Sequence, residues 1–348
     1  MIPIAKPMIG EEEIEAATRV LRSGRLAQGP EVEAFEQEFA EYIGTDHAVA
    51  VCNGTVSLQC AMLAAGFEGK RVHTTAFSFV SSATAIEMAN ATAVFHDISL
   101  QTFCAPPMYS TNISPTDGLL AVHLYGRPAI SIAPPDVLVV EDCAQAIGST
   151  TNGKKVGSFG VAGAFSFYAT KNMTSGGEGG MVTTNHKSIA DCVRLLRNHG
   201  DVGKYQHELP GFNFRMTELQ ATIGRIQLRK VDGFNRARVQ NAEYYTNHID
   251  VDWAVLPGIV SGHTFHQYVI RVVGKRRDFV AQYLSNRGIG CAVHYPEIIP
   301  FQPVFGGKDH VKYPVAHEAA RTVLSIPVGP WVTEADREYI VETINGIP

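Results

Sequence analysis

The sequence has few cysteines, no long apolar run and no excess of positive charge. Its six cysteines stand singly, without a Cys-x-x-Cys pair, which argues against a zinc ribbon, a redox dithiol and a disulfide framework. No stretch reaches the roughly 20 uninterrupted apolar residues that span a bilayer, and the first residues do not resemble a signal peptide. We therefore expect a soluble, cytoplasmic protein that does not associate with a membrane.

Charge and motif spacing exclude further classes of function. With 29 Lys and Arg against 34 Asp and Glu, the net charge is −5, which offers no broad basic surface for a nucleic acid. The histidines lack paired metal-ligand spacing, so a zinc hydrolase is disfavoured and no metal is expected. Gly157, Gly160 and Gly163 do not match the dinucleotide fingerprint, and no P-loop occurs. Any anionic ligand must be bound by local groups.

The composition is that of an ordinary globular protein, and 348 residues are enough for two or more domains. After two amphipathic helices, short apolar runs alternate with helices and loops, which is typical of a mostly parallel sheet with helices on both faces. Such α/β sheets bind ligands at the carboxyl ends of their strands. The predicted strands are Ala48 to Cys52, Val72 to Thr75, Ala93 to Ile98, Leu119 to Leu124, Val137 to Val140 and Ala162 to Phe167.

Beyond Thr184 the pattern changes to long helical repeats, and a boundary is predicted near Val231 to Asn235. A smaller α+β region follows, with a strand over Tyr268 to Val272 and a last helix capped by Thr333. We predict a large domain at residues 1–232 and a small C-terminal domain at 233–348. The first residues of the chain are candidates to pack on the small domain.

Two segments at predicted strand ends carry candidate chemistry. Asn53-Gly54-Thr55 leads from a strand into a helix, where free N–H groups and the positive dipole end suit a phosphate; the alternative is that Thr55 is a simple N-cap. Asp142 ends an apolar strand and needs a partner there. It could hold a protonated pyridine nitrogen, or it could cap the next helix.

A third segment contains a lysine, Lys171, just past a buried strand and beside a glycine-rich run. Desolvation there lowers the pKa of an amine, which is what a Schiff-base lysine needs. The alternative is a solvated loop lysine. Ser166 adds a hydroxyl on the same segment that could reach a phosphate.

Taken in order, these and further segments resemble the pyridoxal-phosphate-dependent sugar aminotransferases of the DegT/DnrJ/EryC1/StrS family. The match covers nearly the whole chain, from Ser23-Gly24-Arg25-Leu26 to Leu324-Ser325-Ile326-Pro327. The segments that carry it are Asn53-Gly54-Thr55, Phe77-Ser78-Phe79, His123-Leu124-Tyr125-Gly126, Glu141-Asp142-x-x-Gln145, Ser166-Phe167-x-x-Thr170-Lys171, Gly177-Glu178-Gly179-Gly180, Asn198-His199-Gly200 and Gly211-Phe212-Asn213-Phe214-Arg215-Met216.

The resemblance implies a fold-type I transferase with pyridoxal 5′-phosphate as cofactor, working as a homodimer with active sites at the subunit interface. It implies that Lys171 binds the cofactor covalently, that Asp142 pairs with the pyridine nitrogen and that Gln145 hydrogen-bonds the ring hydroxyl. The other implied cofactor contacts are Gly54, Thr55 and Ser166 on the phosphate, Phe79 stacked on the ring, and Asn213 reaching across the dimer to the partner's phosphate. The substrate contacts are expected to include Arg215, His294 and Tyr295.

The implied reaction moves an amino group from an amino acid, L-glutamate, to a nucleotide-linked keto-sugar of the 4-keto-6-deoxy type. The product would be an amino-sugar for a surface polysaccharide or glycoconjugate. Some members of the family are sugar dehydratases with histidine in place of the lysine, and Lys171 favours transamination over that alternative. The other alternative is a non-catalytic regulatory protein that has kept the fold. Loops at 99–118 and 127–136 are shorter than the helical segments usual in relatives.

Overall fold

The computed structural model describes residues 1–106, 113–129, 133–134, 136–306 and 312–348. Helices and strands alternate through the first half of the chain, as the sequence predicts. The strands are β1 (His47–Val51), β2 (Arg71–Thr75), β3 (Thr92–His96), β4 (Gly118–Val122), β5 (Leu138–Asp142), β6 (Thr150–Thr151), β7 (Lys154–Lys155), β8 (Ala162–Ser166), β9 (Gly180–Thr184), β10 (Ala254–Val255), β11 (Tyr268–Val272) and β12 (Val323–Ile326). The helices are α1 (Glu11–Ser23), α2 (Pro30–Ile43), α3 (Gly54–Ala64), α4 (Ser81–Met88), α5 (Lys187–Arg197), α6 (Glu218–His248), α7 (Arg277–Asn286), α8 (Pro314–Thr322) and α9 (Glu334–Asn345).

A seven-stranded sheet forms the centre of the molecule, in the order β1-β9-β8-β5-β4-β2-β3. Strand β9 runs antiparallel to both of its neighbours, and the pairings from β8 through β5, β4 and β2 to β3 are parallel. The prediction of a mostly parallel sheet is therefore confirmed. Because parallel strands end at one edge, the segments that follow β5 and β8 come together in space.

Both faces of this sheet are buried, and β1 shows how the sequence achieves it. Ala48 and Ala50 pack into a core with the aromatic rings of α2, whereas Val49 and Val51 pack into a core with the apolar side chains of α3 and α5. Successive residues of a strand point to opposite faces, so an unbroken apolar run is required when helices cover both sides. The predicted two-sided helical cover is confirmed.

Helix α6 is a single helix of 31 residues, capped at its start by the Thr217 hydroxyl, which accepts a hydrogen bond from the Gln220 N–H (3.2 Å). Its first half packs against α1 and α2. The predicted domain boundary near Val231 to Asn235 falls inside this helix, which passes through that point without a break. A stripe of buried side chains continues across it, from Val231 through the polar Asn235 and Arg238 to Tyr245.

The C-terminal region has its own core around an antiparallel sheet of β10, β11 and β12, closed by α7 and α9. The start of the chain joins it, because the Ile2 N–H donates to the Gly288 carbonyl (2.7 Å) and the Trp331 indole donates to the Pro3 carbonyl (2.9 Å). The division into domains at 1–232 and 233–348 stays a prediction. The final helix begins, as predicted, with Thr333 accepting a hydrogen bond from a backbone N–H of its first turn.

Within the described residues, none of the helices is both long and apolar enough to cross a membrane. The described parts of the two shortened loops, 99–106, 113–118, 127–129, 133–134 and 136, contain no α-helix. The rest of the two loops, 107–112, 130–132 and 135, lies outside the described residues.

Candidate active site

The carboxyl ends of β5 and β8 and the start of α3 surround a cavity of about 670 Å³. The three segments that the sequence analysis singled out all meet here, because the parallel order of the sheet brings their ends to one edge. Nine of the predicted site residues line the cavity: Gly54, Thr55, Phe79, Asp142, Gln145, Ser166, Lys171, His294 and Tyr295.

Lys171 projects into the cavity from the segment after β8. Burial lowers the pKa of its amine to about 8, and the nearby charge of Asp142 opposes part of that shift. A lysine with a lowered pKa provides an unprotonated amine near neutral pH far more often than an exposed one does. Lys171 is half-buried and lines the cavity, which contradicts the alternative of an ordinary solvated loop lysine.

Asp142 is the last residue of β5, and its carboxylate is buried. One oxygen accepts a hydrogen bond from the Ser82 hydroxyl (2.7 Å), and the other accepts from the Ala144 N–H (3.1 Å). No helix follows within residues 143–149, so the alternative that Asp142 is an N-cap is wrong. A buried carboxylate with capacity to accept further hydrogen bonds thus faces the cavity.

The start of α3 forms the opposite wall. Asn53 is the N-cap, since its side chain accepts a hydrogen bond from the Val56 N–H (2.9 Å). The N-cap reading of Thr55 is therefore wrong: Thr55 lies in the first turn and its hydroxyl donates to Ser81 (2.9 Å). A Cβ at Gly54 would lie 2.5 Å from the Ser166 Cβ, so only glycine allows these two segments to approach so closely.

A polar and aromatic group completes the cavity wall. The Gln145 side-chain oxygen accepts from the Tyr125 N–H (2.8 Å), and its nitrogen donates to the Tyr295 hydroxyl (2.9 Å). The rings of Tyr295 and Phe79 lie 5.9 Å apart between centroids, and about half of Phe79 is exposed at the mouth. Because both polar atoms of Gln145 have partners, its amide orientation is fixed.

Two histidines lie beside Lys171. The Nδ1 of His294 is 2.9 Å from the Ser325 hydroxyl, and burial together with the Lys171 charge lowers the pKa of His294 to about 4. Burial, the Lys171 charge and the Arg238 charge hold the pKa of His266 well below its usual value. Both imidazoles are therefore neutral around pH 7.

Asn213 and Arg215 do not line the cavity of their own chain. Asn213 is exposed and forms a backbone bridge to Asn198. The Arg215 guanidinium donates to the side-chain oxygen of Asn198 (2.7 Å). The structure of one chain thus places these two predicted residues together, apart from the other nine.

Sequence reasoning missed several residues of the cavity, among them Ser82, His266 and Glu178. Ser82 lies one turn beyond the quoted Phe77-Ser78-Phe79 segment, and its partner Asp142 is 60 positions away. Nothing in the local sequence marks that contact, because the order of β2, β4 and β5 in the sheet creates it.

Within the described residues, one group has the composition of a metal site: His123, Glu141 and Cys143, whose ligand atoms all lie within 4.8 Å of one another. Its hydrogen bonds are already satisfied. The Ala129 N–H donates to His123 Nδ1 (2.9 Å), and His123 Nε2 pairs with Glu141 (3.0 Å). The group therefore gives no reason to assign a metal.

The sheet with its one antiparallel strand, and a cavity at the carboxyl edge of that sheet, define the class of fold-type I pyridoxal-phosphate-dependent transferases. The residues present fit that cofactor, since an aldehyde requires an unprotonated amine and a phosphate requires free N–H groups at a helix start. The model of the DegT/DnrJ/EryC1/StrS aminotransferase family matches residues 7–345, and this chain belongs to that family. It is a pyridoxal-phosphate-dependent aminotransferase.

Named relatives support the same family. The chain is 37% identical to the "Pleiotropic regulatory protein" of Geobacillus stearothermophilus, over 96% of this chain and 93% of the relative. It is 35% identical to the dTDP-3-amino-3,4,6-trideoxy-alpha-D-glucose transaminase of Streptomyces venezuelae, over 99% and 95%. It resembles the crystal structure of S. venezuelae DesV in complex with a ketimine intermediate, with a TM-score of 0.89 and 34% identity over 96% and 93% of the two chains.

Proposed function

We propose that this aminotransferase moves an amino group from L-glutamate to a nucleotide-linked keto-sugar. The observation that carries the proposal is the placement of Lys171 and Asp142 in one cavity, with the amine's pKa lowered to about 8 by burial. When bound, pyridoxal 5′-phosphate supplies an electron sink for a carbanion next to nitrogen. The chain's own residues would then bind the cofactor, keep the pyridine nitrogen protonated and accept the proton from the donor's α-carbon.

Lys171 has two tasks in this proposal. Its unprotonated amine would hold the cofactor through the aldehyde, and whenever this amine is free it would accept the proton from the donor's α-carbon. Asp142 would hold a proton on the pyridine nitrogen, because a carboxylate beside that nitrogen favours the charged ring. Gln145 is fixed between Tyr125 and Tyr295 and would orient the cofactor ring by a hydrogen bond to the hydroxyl group of that ring.

The cofactor phosphate is assigned to the start of α3. The first N–H groups of a helix have no acceptor within the helix, and its dipole end is positive. Gly54 and Thr55 present this end to the cavity, and Ser166 stands against Gly54. Phe79, exposed at the mouth beside Tyr295, is proposed to stack on the cofactor ring. These donors can hold an anion although the chain carries a net charge of −5.

A homodimer would give Asn213 a role. The residue is exposed and lies outside the cavity of its own chain, which supports the proposal that it reaches the partner's phosphate. Mixing inactive Lys171→Ala and Asn213→Ala chains tests this. Some hybrid dimers should then contain one intact site and regain activity, whereas no recovery despite demonstrated subunit exchange would contradict a shared site.

The keto-sugar is proposed to contact His294 and Tyr295, which line the cavity beside Lys171, and Arg215 is proposed to contact it from the partner subunit. The N-terminal pattern Pro7-x-Ile9-Gly10-x-x-Glu13-Ile14 resembles relatives that aminate C4, consistent with a 4-keto-6-deoxy substrate. Three relatives carry names that specify amination at C3, including the UDP-N-acetyl-3-dehydro-alpha-D-glucosamine enzyme of Acidithiobacillus ferrooxidans. The amino-sugar product would serve a surface polysaccharide or glycoconjugate.

The test is spectroscopic. Adding L-glutamate to the cofactor-loaded protein should convert the visible absorbance of the Lys171-linked cofactor into that of its aminated form, and a nucleotide-linked keto-sugar should restore it. Comparing 3-keto and 4-keto sugars then identifies the ring carbon. Lys171→Ala is the control and should lack the starting band. A variant that kept this band would overturn the assignment of Lys171.

Two relatives are named for regulation, the Geobacillus protein and the erythromycin biosynthesis sensory transduction protein EryC1 of Saccharopolyspora erythraea. A regulatory role without turnover predicts no spectral change with any amino acid. The combination of Lys171, Asp142 and Gln145 in one cavity favours catalysis, because a binding module has no need for all three. A dehydratase would lack the lysine at this position.

A further inference from the structure

A chain of buried hydrogen bonds leads from helix α6 to the lysine segment. It begins at the Ile147 carbonyl, which can only accept, so the side-chain nitrogen of Asn235 faces it (3.0 Å). The oxygen of Asn235 therefore points the other way. It accepts from the side-chain nitrogen of Asn172 (2.8 Å), the residue that follows Lys171.

The orientation of Asn172 determines the protonation of a histidine. Its nitrogen is used by Asn235 and by the Thr264 carbonyl (3.4 Å), so its oxygen is the atom that faces His266 Nδ1 (3.0 Å). An oxygen acceptor requires a donor, and Nδ1 must carry the hydrogen. A neutral imidazole has one N–H, so Nε2 of His266 is left with a lone pair.

His266 is held neutral as well as oriented. The Arg238 guanidinium, which is buried, donates to the carbonyls of Phe265 (3.3 Å) and His266 itself (3.1 Å). Burial opposes a proton on the imidazole, and so do the positive charges of Lys171 and Arg238. Within the described residues, Nε2 has no hydrogen-bond partner, and His266 lines the same cavity as Lys171.

We propose that His266 is a positioning residue for Lys171, and that its uncharged Nε2 accepts a hydrogen bond from the Lys171 amine whenever that amine is free. This inference rests on the proposed role of Lys171 in amino transfer. An uncharged acceptor can take a hydrogen bond from one N–H of the Lys171 amine and thereby orient the lone pair of that amine. A carboxylate in that place would raise the pKa of the amine, and an imidazolium would repel its protonated form.

The first test reads the tautomer directly and does not depend on catalysis. The full-length protein is labelled with ¹⁵N in its histidine rings, and the His266 signals are identified by their loss in His266→Gln. We expect a protonated Nδ1 and an unprotonated Nε2, without change between about pH 6 and 9. A proton on Nε2, or titration in that range, would overturn the proposal even in an active enzyme.

The second test uses two substitutions that keep different ring positions. Gln extends to the Nε2 position and offers an oxygen there, whereas Asn reaches only the Nδ1 position. In single-turnover reactions with L-glutamate, His266→Asn should slow proton transfer on the order of 100-fold with little change in donor affinity, while His266→Gln retains most of the rate.

The opposite order, with Asn active and Gln slow, would show that only the contact to Asn172 matters and would overturn the proposal. His96→Gln and His96→Asn, on β3 outside the cavity, are matched controls and should leave both rates unchanged. If the wild-type protein shows no spectral response to any amino acid, the proposed function fails, and the tautomer measurement still decides on the orientation of His266.

Discussion

Glu141 and Asp142 are neighbours on β5, and both carboxylates are buried, yet their surroundings differ in one respect. Glu141 accepts hydrogen bonds from four donors: His123 Nε2 (3.0 Å) and the N–H groups of Gly157, Phe159 and Gly160 (each 2.8 Å). Asp142 accepts from two, Ser82 and Ala144, and faces the cavity.

The difference separates a structural carboxylate from one available to a ligand. A carboxylate has about four acceptor positions, so Glu141 has none left, whereas Asp142 has room for a further donor. Burial alone would raise the pKa of Glu141, but the hydrogen bonds from His123, Gly157 and Gly160 lower it below its usual value. Alternation along one strand thus gives two adjacent acids different roles.

Removing the charge of Asp142 should have the largest effect on catalysis. Asp142→Asn keeps the size of the side chain and can keep the Ser82 contact, but it can no longer hold a proton on the pyridine nitrogen. We expect amino transfer to fall roughly 10²- to 10⁴-fold, with little change in the melting temperature. Stopped-flow absorbance with L-glutamate and a thermal melt measure the two quantities. Near-normal turnover would show that the carboxylate is not needed.

Glu141→Gln should lower the stability and leave the catalytic rate nearly unchanged, the opposite of what we expect for Asp142→Asn. The amide nitrogen of the Glu141→Gln side chain would face N–H donors, and an acceptor for His123 Nε2 would be weakened, so we expect unfolding to become easier by about 1 to 3 kcal/mol. The rate per folded molecule should change little. Because the folded pKa of Glu141 is lowered, its stabilisation is present above the usual value of 4.5 and lost as pH falls through the folded value.

Denaturant titrations of both proteins from pH 7 to pH 3 measure that pH dependence. The difference in unfolding free energy between wild type and Glu141→Gln should shrink as the pH falls. A variant with unchanged stability but lost activity would place Glu141 in the catalytic machinery and remove the distinction from Asp142.

Ser82→Ala should give the smallest of the three effects, because it removes one of the two donors to Asp142 and leaves the charge. We expect a loss of about tenfold in the rate, the scale of one hydrogen bond to a charged group. Ser78→Ala is the control, since Ser78 contacts the Ser82 hydroxyl (2.9 Å) and not the carboxylate. Equal effects of both variants would show that the serine pair only fills space.

The features of this molecule that could be predicted are those that depend on local sequence pattern. Unbroken apolar runs such as the one in β5 indicated strands buried on both faces. Position marked the acid after β5 and the lysine after β8 as candidates, each with an alternative, and the family resemblance supplied their expected roles. The unpredicted contacts join residues far apart in sequence. Ser82 meets Asp142, and His266 meets Asn172, only because of the order of strands and the path of the C-terminal chain.

In helix α6, a local change in the sequence pattern does not correspond to an end of the helix. The domain boundary predicted near Val231 to Asn235 lies within the helix, whose hydrogen bonds continue through this segment because no proline or C-terminal glycine motif interrupts it. Gly233 lies within the helix and is tolerated there at a cost of about 1 kcal/mol relative to alanine. Buried side chains extend along the whole of α6, and their packing favours a continuous helix.

That unbroken helix has a consequence for how the protein can be made. At 31 residues it is roughly 45 Å long, with one half against α1 and α2 and the other in the C-terminal core. Cutting the chain at residue 232 would leave each product with half a helix whose normally buried side chains are uncovered. We therefore expect that dividing the chain at that point exposes buried side chains of α6 on both products, so that neither folds as it does in the intact chain.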